Sequence, residues 1–107
     1  MHQTAGRAEE IDPRPADEAR QAGAVLVDVR EPKEWTAFRA PGAVHVPLGE
    51  LARRLDELPA DGELLFICHS GVRSLSAAEL AIARGRTARS VRGGIVGWHK
   101  AGLPIER

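Results

Sequence analysis

The sequence of 107 residues contains one cysteine, no tyrosine, two tryptophans and two phenylalanines. A single cysteine cannot form an intrachain disulfide, so nothing in the composition indicates an oxidising compartment. One thiol is also too few for a tetrahedral thiolate metal site, and the four histidines show no metal-ligand spacing: His2, His45, His69 and His99. The sequence therefore predicts neither a disulfide scaffold nor a bound metal.

An excess of charge and a long apolar run are missing as well. The 15 basic and 15 acidic residues give a formal net charge of zero, which argues against a broad electrostatic grip on nucleic acid or on an anionic membrane. No segment approaches the roughly 20 apolar residues that span a bilayer. The opening stretch MHQTAGRAEEIDPRP lacks the apolar core of a signal peptide. We therefore expect a cytoplasmic protein without nucleic-acid or membrane partners.

The chain has the size and composition of one globular unit. With 43% hydrophobic and 28% charged residues, it can build one compact core and is too short for two ordinary domains. We expect residues 1–9 to be a flexible N-terminal segment and residues 10–107 to form a single domain. Ile11-Asp12-Pro13 suits a short edge strand, because proline is tolerated at the edge of a sheet but not in its interior.

Strand patterns alternate with helix patterns along the rest of the chain. The runs 24–29 and 64–67 are apolar except for Asp28 and do not alternate with polar residues, which predicts strands that are buried on both faces. Shorter strands are expected at 44–46 and 90–92. Helices are expected over 16–21, from 31 onward, over 48–58, from the loop after residue 67 to about 84, and around 98; Ser76 and Glu79 have capping-box spacing in the fourth of these. The alternation predicts an α/β fold, an open parallel-type sheet of about five short strands with helices on both faces.

The only thiol stands in the segment CHSGVRS, residues 68–74, between the second buried strand and the following helix. Open α/β sheets bind their ligands outside the carboxyl ends of the strands, which is where this arrangement puts Cys68. Gly71 lets backbone amides turn inward, and a ring of N–H groups at a helix N-terminus binds anions. Arg73 supplies a positive charge, and Ser70 and Ser74 supply further donors. The segment therefore predicts an anion cradle around a nucleophilic sulfur.

The extent to which this loop stabilises a cysteine anion can be estimated from the contribution of each group. A cysteine with the ordinary pKa of about 8.5 is only a few per cent thiolate at neutral pH. A helix terminus contributes roughly 0.3–1 kcal/mol, so the inward amides and Arg73 must add to it before Cys68 is held as an anion open to small molecules. The alternative is that Cys68 is a small buried core residue, the commonest fate of a free cysteine. Its place before a loop of glycine, serine and arginine favours the nucleophile.

Four segments resemble, in order and in spacing, the single-domain rhodanese, or sulfurtransferase, family. They are VDVREPKEW (27–35), PGAVHVPL (41–48), CHSGVRS (68–74) and RGGIVGWHKAGLP (92–104), and together they extend the resemblance from about 11 to 104. The resemblance implies that Cys68 takes a sulfane sulfur from a donor such as thiosulfate, becomes a persulfide and passes the sulfur to cyanide or a thiol. It implies a loop around the transferred sulfur formed by His69, Ser70, Gly71, Val72 and Arg73. It implies no metal or organic cofactor, and a sulfur-relay protein as a further possible partner.

The length of the loop that starts at Cys68 distinguishes sulfur transfer from the activities of related families. Related phosphatases and arsenate reductases enclose an oxyanion with the longer loop C-x-x-x-x-x-R, whereas Cys68 to Arg73 is one residue shorter. The resemblance therefore favours sulfur transfer over phosphate hydrolysis. A non-catalytic binding or sulfur-carrier module of the same fold remains an alternative. The chain departs from the family at Arg39-Ala40, where a His-Ile pair is frequent, and at His69, which leaves the substrate preference open.

Polar residues also follow the first buried strand. Asp28 and Arg30 should lie near the sheet edge of Cys68, where they can support the loop or fix the strand-to-helix turn. We favour the second role for Arg30, through a pair with Asp28, Glu31 or Glu34, and keep Asp28 as a supporting candidate. Of the remaining residues, His45, Trp35 and Trp98 are expected to serve packing, and a basic cluster is expected to be a solvated surface rather than a docking site: Arg84, Arg86, Arg89 and Arg92.

Overall fold

The structure, a computed structural model, describes residues 8–107 and contains five strands and five helices in this range. In chain order the elements are β1 (Glu9–Ile11), α1 (Pro13–Gln21), β2 (Val25–Asp28), α2 (Pro32–Ala37), β3 (Val44–His45), α3 (Leu48–Arg54), β4 (Glu63–Ile67), α4 (Val72–Ala83), β5 (Thr87–Val91) and α5 (Gly94–Lys100). The N-terminal segment expected to be flexible lies almost wholly outside the described residues, and Glu9 already belongs to β1.

The strands form one parallel sheet in the order β1-β5-β4-β2-β3. This confirms the predicted α/β class. The edge strand expected at Ile11-Asp12-Pro13 is β1, but it ends at Ile11, and Pro13 begins α1. In the central pair, Asp28 of β2 lies beside Ile67 of β4. The residues that follow these two strands therefore emerge at the same edge of the sheet, which is where the sequence placed Cys68.

The sheet is apolar on both faces, which explains why its central strands show no alternation of polar residues. On one face, Leu64, Phe66 and Cys68 pack with residues of α3 and α4, among them Leu51 and Ala77. On the other face, Leu65 and Ile67 pack with residues of α1 and α5. Successive side chains of a strand point to opposite faces, so Cys68 continues the row of Leu64 and Phe66 and faces α4.

Helix boundaries differ from the sequence prediction at three points. α1, which was predicted over 16–21, begins at Pro13. α4 begins at Val72 with Gly71 as its N-cap, so Ser76 and Glu79 lie inside the helix and their capping-box spacing has no capping role. The helix predicted over 48–58 ends at Arg54 and continues as a single 3-10 turn, Leu55–Glu57. Between residues 8 and 107 no helix combines the length and the apolar character needed to cross a membrane.

Candidate active site

Cys68 follows β4 directly, and its sulfur is surrounded by polar groups as well as by carbon. The Gly71 amide donates a hydrogen bond to Cys68 Sγ at 3.1 Å, and Ser74 Oγ lies 3.3 Å from the same sulfur. Ser74 Oγ in turn lies 2.8 Å from Ser90 Oγ of β5, and both serines are fully buried. When the sulfur is a thiolate, the Ser74 hydroxyl can donate to it and the Ser90 hydroxyl can donate to Ser74. The site thus holds a short buried chain of hydroxyl donors behind the sulfur.

Gly71 makes the turn that brings an amide to the sulfur. Its φ of +107° lies in the left-handed region, which a residue with a side chain rarely adopts. A Cβ at Gly71 would also lie only 3.2 Å from the Gly93 nitrogen. Because Gly71 caps α4, the first-turn amides of that helix, which have no partner within it, open toward the loop. The predicted role of Gly71 in turning the loop agrees with this geometry.

The start of α5 holds the loop from the other side. The amide of Ile95 donates to the Cys68 carbonyl at 2.7 Å, and the amide of Val96 donates to the His69 carbonyl at 3.1 Å. Gly94 makes the approach possible, since a Cβ there would lie 2.5 Å from backbone atoms of both Cys68 and His69. The two loop carbonyls are therefore engaged by α5. Gly94 therefore allows the close chain packing beside the loop.

Gly94→Ala should displace the loop and reduce whatever activity Cys68 carries. The added Cβ meets backbone that cannot give way, and overpacking of this kind costs about 1–3 kcal/mol. We expect the catalytic efficiency to fall about tenfold or more, because small misplacements of reacting groups are costly. Gly85→Ala is the matched control, since Gly85 also has a positive φ of +85° but open space around its Cβ. Equal losses in the two variants would show that strain alone, and not the contact with the loop, is responsible.

The exposure of the thiol differs from the sequence expectation. Cys68 is only 1% exposed and belongs to the core on the α4 face, as the alternative of a buried core cysteine predicted. Yet the Gly71 amide and the Ser74 hydroxyl point at the sulfur, which an inert core cysteine does not require. Around it, His69 and Ser70 are exposed, and Val72 is 73% exposed. The loop therefore presents its outer side chains to solvent and keeps its sulfur covered.

Arg73 does not offer a free guanidinium to an oxyanion. Its two terminal nitrogens donate to the two carboxylate oxygens of Glu34 at 2.8 and 2.9 Å. This hydrogen-bonded pairing lowers the pKa of Glu34 to about 2 and raises that of Arg73. The sulfur of Cys68 contributes a smaller Coulomb attraction to Arg73, so the two groups are within electrostatic reach. The assignment of Arg73 as an unopposed positive charge in the cradle needs this correction.

Glu34 is the residue that sequence reasoning overlooked at this site. It stands in the segment VDVREPKEW, where it was considered only as one of three acids that could pair with Arg30. Glu34 does accept the Glu31 amide at 2.9 Å, as expected of the third residue in a helix. Its contact with Arg73, 39 positions away, depends on the placement of α2 beside α4. Ser90 was missed for the same reason, since only the register of β5 brings it behind Ser74.

Asp28 and Arg30 pair with each other. Arg30 Nε and Nη2 donate to the Asp28 carboxylate at 2.9–3.0 Å, and the Arg30 amide donates to it at 2.9 Å. Arg30 also donates to the Phe38 carbonyl at 2.7 Å. The arginine is 1% exposed and the aspartate 0%, so the pair is desolvated. This is the structural role favoured for Arg30, and it uses the Asp28 carboxylate to fix the turn after β2.

The packing roles expected for the two tryptophans and His45 also appear. Trp98 is fully buried, and its indole N–H donates to the Pro104 carbonyl at 2.8 Å. Trp35 is half-buried and stacks on His45 with ring centroids 4.8 Å apart. His45 Nε2 lies 2.8 Å from the Arg30 carbonyl. These rings therefore support the turn after β2 and the C-terminal segment.

The four arginines of the basic cluster are tied to the chain. Arg84 and Arg86 donate to backbone carbonyls around the 3-10 turn, including those of Ala52 and Leu55. Arg89 pairs with Glu63, and Arg92 pairs with Asp12 and Glu10. Their charges hold elements together, so the cluster is more than a solvated surface. Between residues 8 and 107 the structure groups no three histidine, cysteine or acidic side chains in a way that could hold a metal.

A separate apolar groove of about 510 Å³ lies along α5 and the C-terminal segment. Its walls include Phe38, Ile95, Leu103 and Ile105. Cys68 does not line it, although Ile95 touches both the groove and the loop. The groove is therefore a neighbour of the candidate site and not part of it.

Comparisons with known proteins agree with this geometry. A family model described as "Rhodanese-like domain" matches residues 12–101. The thiosulfate sulfurtransferase GlpE of Actinobacillus pleuropneumoniae is 34% identical over 99 residues, which cover 91% of this chain and 92% of GlpE. The crystal structure of a rhodanese-related protein from Thermoplasma volcanium has a TM-score of 0.84 at 30% identity and covers 91% of this chain and 96% of that one. The chain belongs to the rhodanese-like family.

The domain also recurs within longer proteins. The HTH-type transcriptional regulator Rv0324 of Mycobacterium tuberculosis is 39% identical over 90 residues, which cover 81% of this chain and 40% of the regulator. This chain thus spans less than half the length of that relative. At the level of the family, relatives that carry the names sulfurtransferase or putative sulfur carrier protein support a sulfurtransferase or sulfur-carrier domain.

Proposed function

We propose that this protein transfers a sulfane sulfur from thiosulfate to cyanide or a thiol through a persulfide on Cys68. In the first step the Cys68 thiolate attacks the outer sulfur of thiosulfate, the S–S bond of the donor breaks, and sulfite leaves with the bonding electrons. In the second step the acceptor attacks the terminal sulfur of the persulfide. Thiocyanate or a new persulfide leaves, and the Cys68 thiolate is restored.

The observation that supports this proposal is the pair of donors on Cys68 Sγ. Both the thiolate and the persulfide are anions, and burial alone would destabilise them. The Gly71 amide and the Ser74 hydroxyl lie within hydrogen-bond reach of the sulfur and can offset that cost. The proposed loop around the transferred sulfur consists of the five residues that follow the nucleophile: His69, Ser70, Gly71, Val72 and Arg73.

Intact-mass measurement tests the persulfide directly. The reduced protein is incubated with thiosulfate, freed of the donor and weighed, and we expect a gain of one sulfur atom. Because Cys68 is the only cysteine, the added sulfur can reside on no other thiol. Cyanide should then remove the sulfur and release thiocyanate. Protein whose thiol has been blocked by alkylation is the control, and an unchanged mass with thiosulfate would contradict the proposal.

A sulfur-carrier role is the second candidate, and the burial of Cys68 favours it. A persulfide on a residue that is 1% exposed is shielded from bulk thiols and suited to delivery onto a docked protein. A carrier would show the same gain in mass but no turnover with cyanide or small thiols. Multiple turnovers with thiosulfate and cyanide would establish the enzyme and exclude a role as carrier alone.

A further inference from the structure

We infer that Glu34 sets the donor preference of this site by neutralising Arg73, so that the protein discriminates against highly negative sulfur donors. The inference rests on the proposed function and deepens it. Glu34 would not touch the donor but would act through Arg73, which makes it a positioning residue that selects between substrates.

The geometry commits the guanidinium of Arg73 to the carboxylate. Two parallel hydrogen bonds of 2.8 and 2.9 Å join its terminal nitrogens to both oxygens of Glu34, and this fork-to-fork arrangement is the strongest that the two groups can form. Glu34 is itself held by the Glu31 amide at 2.9 Å, so its carboxylate has a fixed position at the start of α2. The two side chains are about equally half-buried, at 34% and 32% exposure. Arg73 therefore uses one N–H of each terminal nitrogen on Glu34, and its guanidinium cannot reorient toward a donor at Cys68 without breaking this pair.

The charge balance near the sulfur follows from that pair. Arg73 with Glu34 carries no net charge, and the buried pair of Arg30 with Asp28 carries none either. Two opposite charges in contact act on a third group mainly as a dipole, whose field falls faster with distance than that of a single charge. A thiosulfate dianion approaching Cys68 therefore gains little from the one arginine of the loop, and its attraction rests on the backbone amides and hydroxyls.

The competing explanation is that Glu34 is a clamp that keeps the loop in place. The two explanations predict opposite changes in catalytic efficiency when Glu34 is replaced. If Glu34 only holds the loop, its removal lowers the efficiency with every donor to a similar degree. If Glu34 cancels the charge of Arg73, its removal raises the efficiency, and raises it more for a donor that carries more negative charge.

Glu34→Gln is the test, because it removes the charge and keeps the shape and one carbonyl oxygen for the Glu31 amide. Thiosulfate, a dianion, is compared with methanethiosulfonate, a monoanion that donates its sulfane sulfur in the same way and releases methanesulfinate. We expect kcat/KM to rise about tenfold for thiosulfate and about threefold for methanethiosulfonate, since the Coulomb gain scales with the charge of the donor. Both gains should shrink in high salt.

Glu31→Gln is the matched control. It removes one acid from the same end of α2, but Glu31 attracts Arg73 more weakly than Glu34 does and makes no hydrogen bond to it, so we expect a gain of the same sign with both donors that is much smaller than in Glu34→Gln. Equal losses with the two donors in Glu34→Gln would overturn the inference in favour of the clamp. An equal gain with both donors would overturn the dependence on donor charge.

Intact mass separates failure of this inference from failure of the proposed function. If neither donor adds a sulfur atom to either protein, the proposed function fails and with it the preference between donors. If both donors add sulfur to both proteins but the ratio of their efficiencies is the same in Glu34→Gln as in the native protein, the proposed function stands and the control of donor preference by Glu34 is overturned.

Discussion

Replacing Cys68 by alanine should abolish sulfur transfer from every donor and leave the fold intact. The proposed reaction stores the sulfur on this side chain, and the chain has no second thiol to take over. Thiocyanate formation from thiosulfate and cyanide should fall to the rate measured without protein. The variant loses one buried sulfur atom, so we expect thermal unfolding to remain cooperative, with a loss of stability of about 1 kcal/mol.

The control for this variant is Ser76→Ala. Ser76 lies on the same helix as Ser74 but is exposed, so the variant should keep full activity. Cys68→Ser should be as inactive as Cys68→Ala, because an alcohol in the same place cannot form a persulfide. Residual turnover in both cysteine variants above the protein-free rate would mean that another group carries the reaction, and the proposed function would fall.

Asp28→Asn should destabilise the whole domain. The change keeps the shape of the side chain but leaves the charge of Arg30 buried and without a counter-charge. Breaking a buried pair in this way costs about 3–5 kcal/mol, a large share of the total stability of a small domain. Urea denaturation should show a lower midpoint with an unchanged slope, because the surface exposed on unfolding stays the same.

Two further variants show whether the loss comes from the unpaired charge. Glu57→Gln breaks a surface pair with Arg54 and should leave the urea midpoint close to that of the native protein. The double variant Asp28→Asn/Arg30→Met removes both charges and should recover much of the loss, since apolar replacements of buried pairs are often nearly neutral. A double variant less stable than Asp28→Asn would show that Arg30 contributes mainly through its contact with the Phe38 carbonyl.

The sequence predicted those parts of the structure that depend on local patterns. The apolar runs of β2 and β4 identified the centre of the sheet, and the step from Ile67 into a loop with Gly71 identified the edge where Cys68 lies. An edge strand was expected at Ile11-Asp12-Pro13, and the structure has it two residues earlier, at Glu9–Ile11, with Pro13 in the first turn of α1. In each case a few adjacent residues determine the backbone conformation, so the local sequence was sufficient to predict it.

The remaining features depend on which elements become neighbours in space. Arg73 was read as a free cation because its partner Glu34 stands 39 positions earlier, on a helix whose approach no local pattern specifies. The burial of Cys68, which was predicted only as the less favoured alternative, arises because α4 covers the end of β4 and extends the core to that residue. Both errors concern the surroundings of a residue whose position in the loop at the sheet edge was predicted correctly. The electrostatics of the site were therefore harder to predict than its position.

The outermost strands of the sheet limit how the domain meets other chains. β1 pairs along only three residues and β3 along two, and Pro13 and Pro47 follow close behind them. Such short edge strands leave few unpaired backbone N–H and C=O groups to which a strand of another chain could hydrogen-bond. A unit built this way can be tethered at high local concentration to unrelated domains without exchanging strands with them. This property suits a module that recurs inside longer polypeptides such as the mycobacterial regulator.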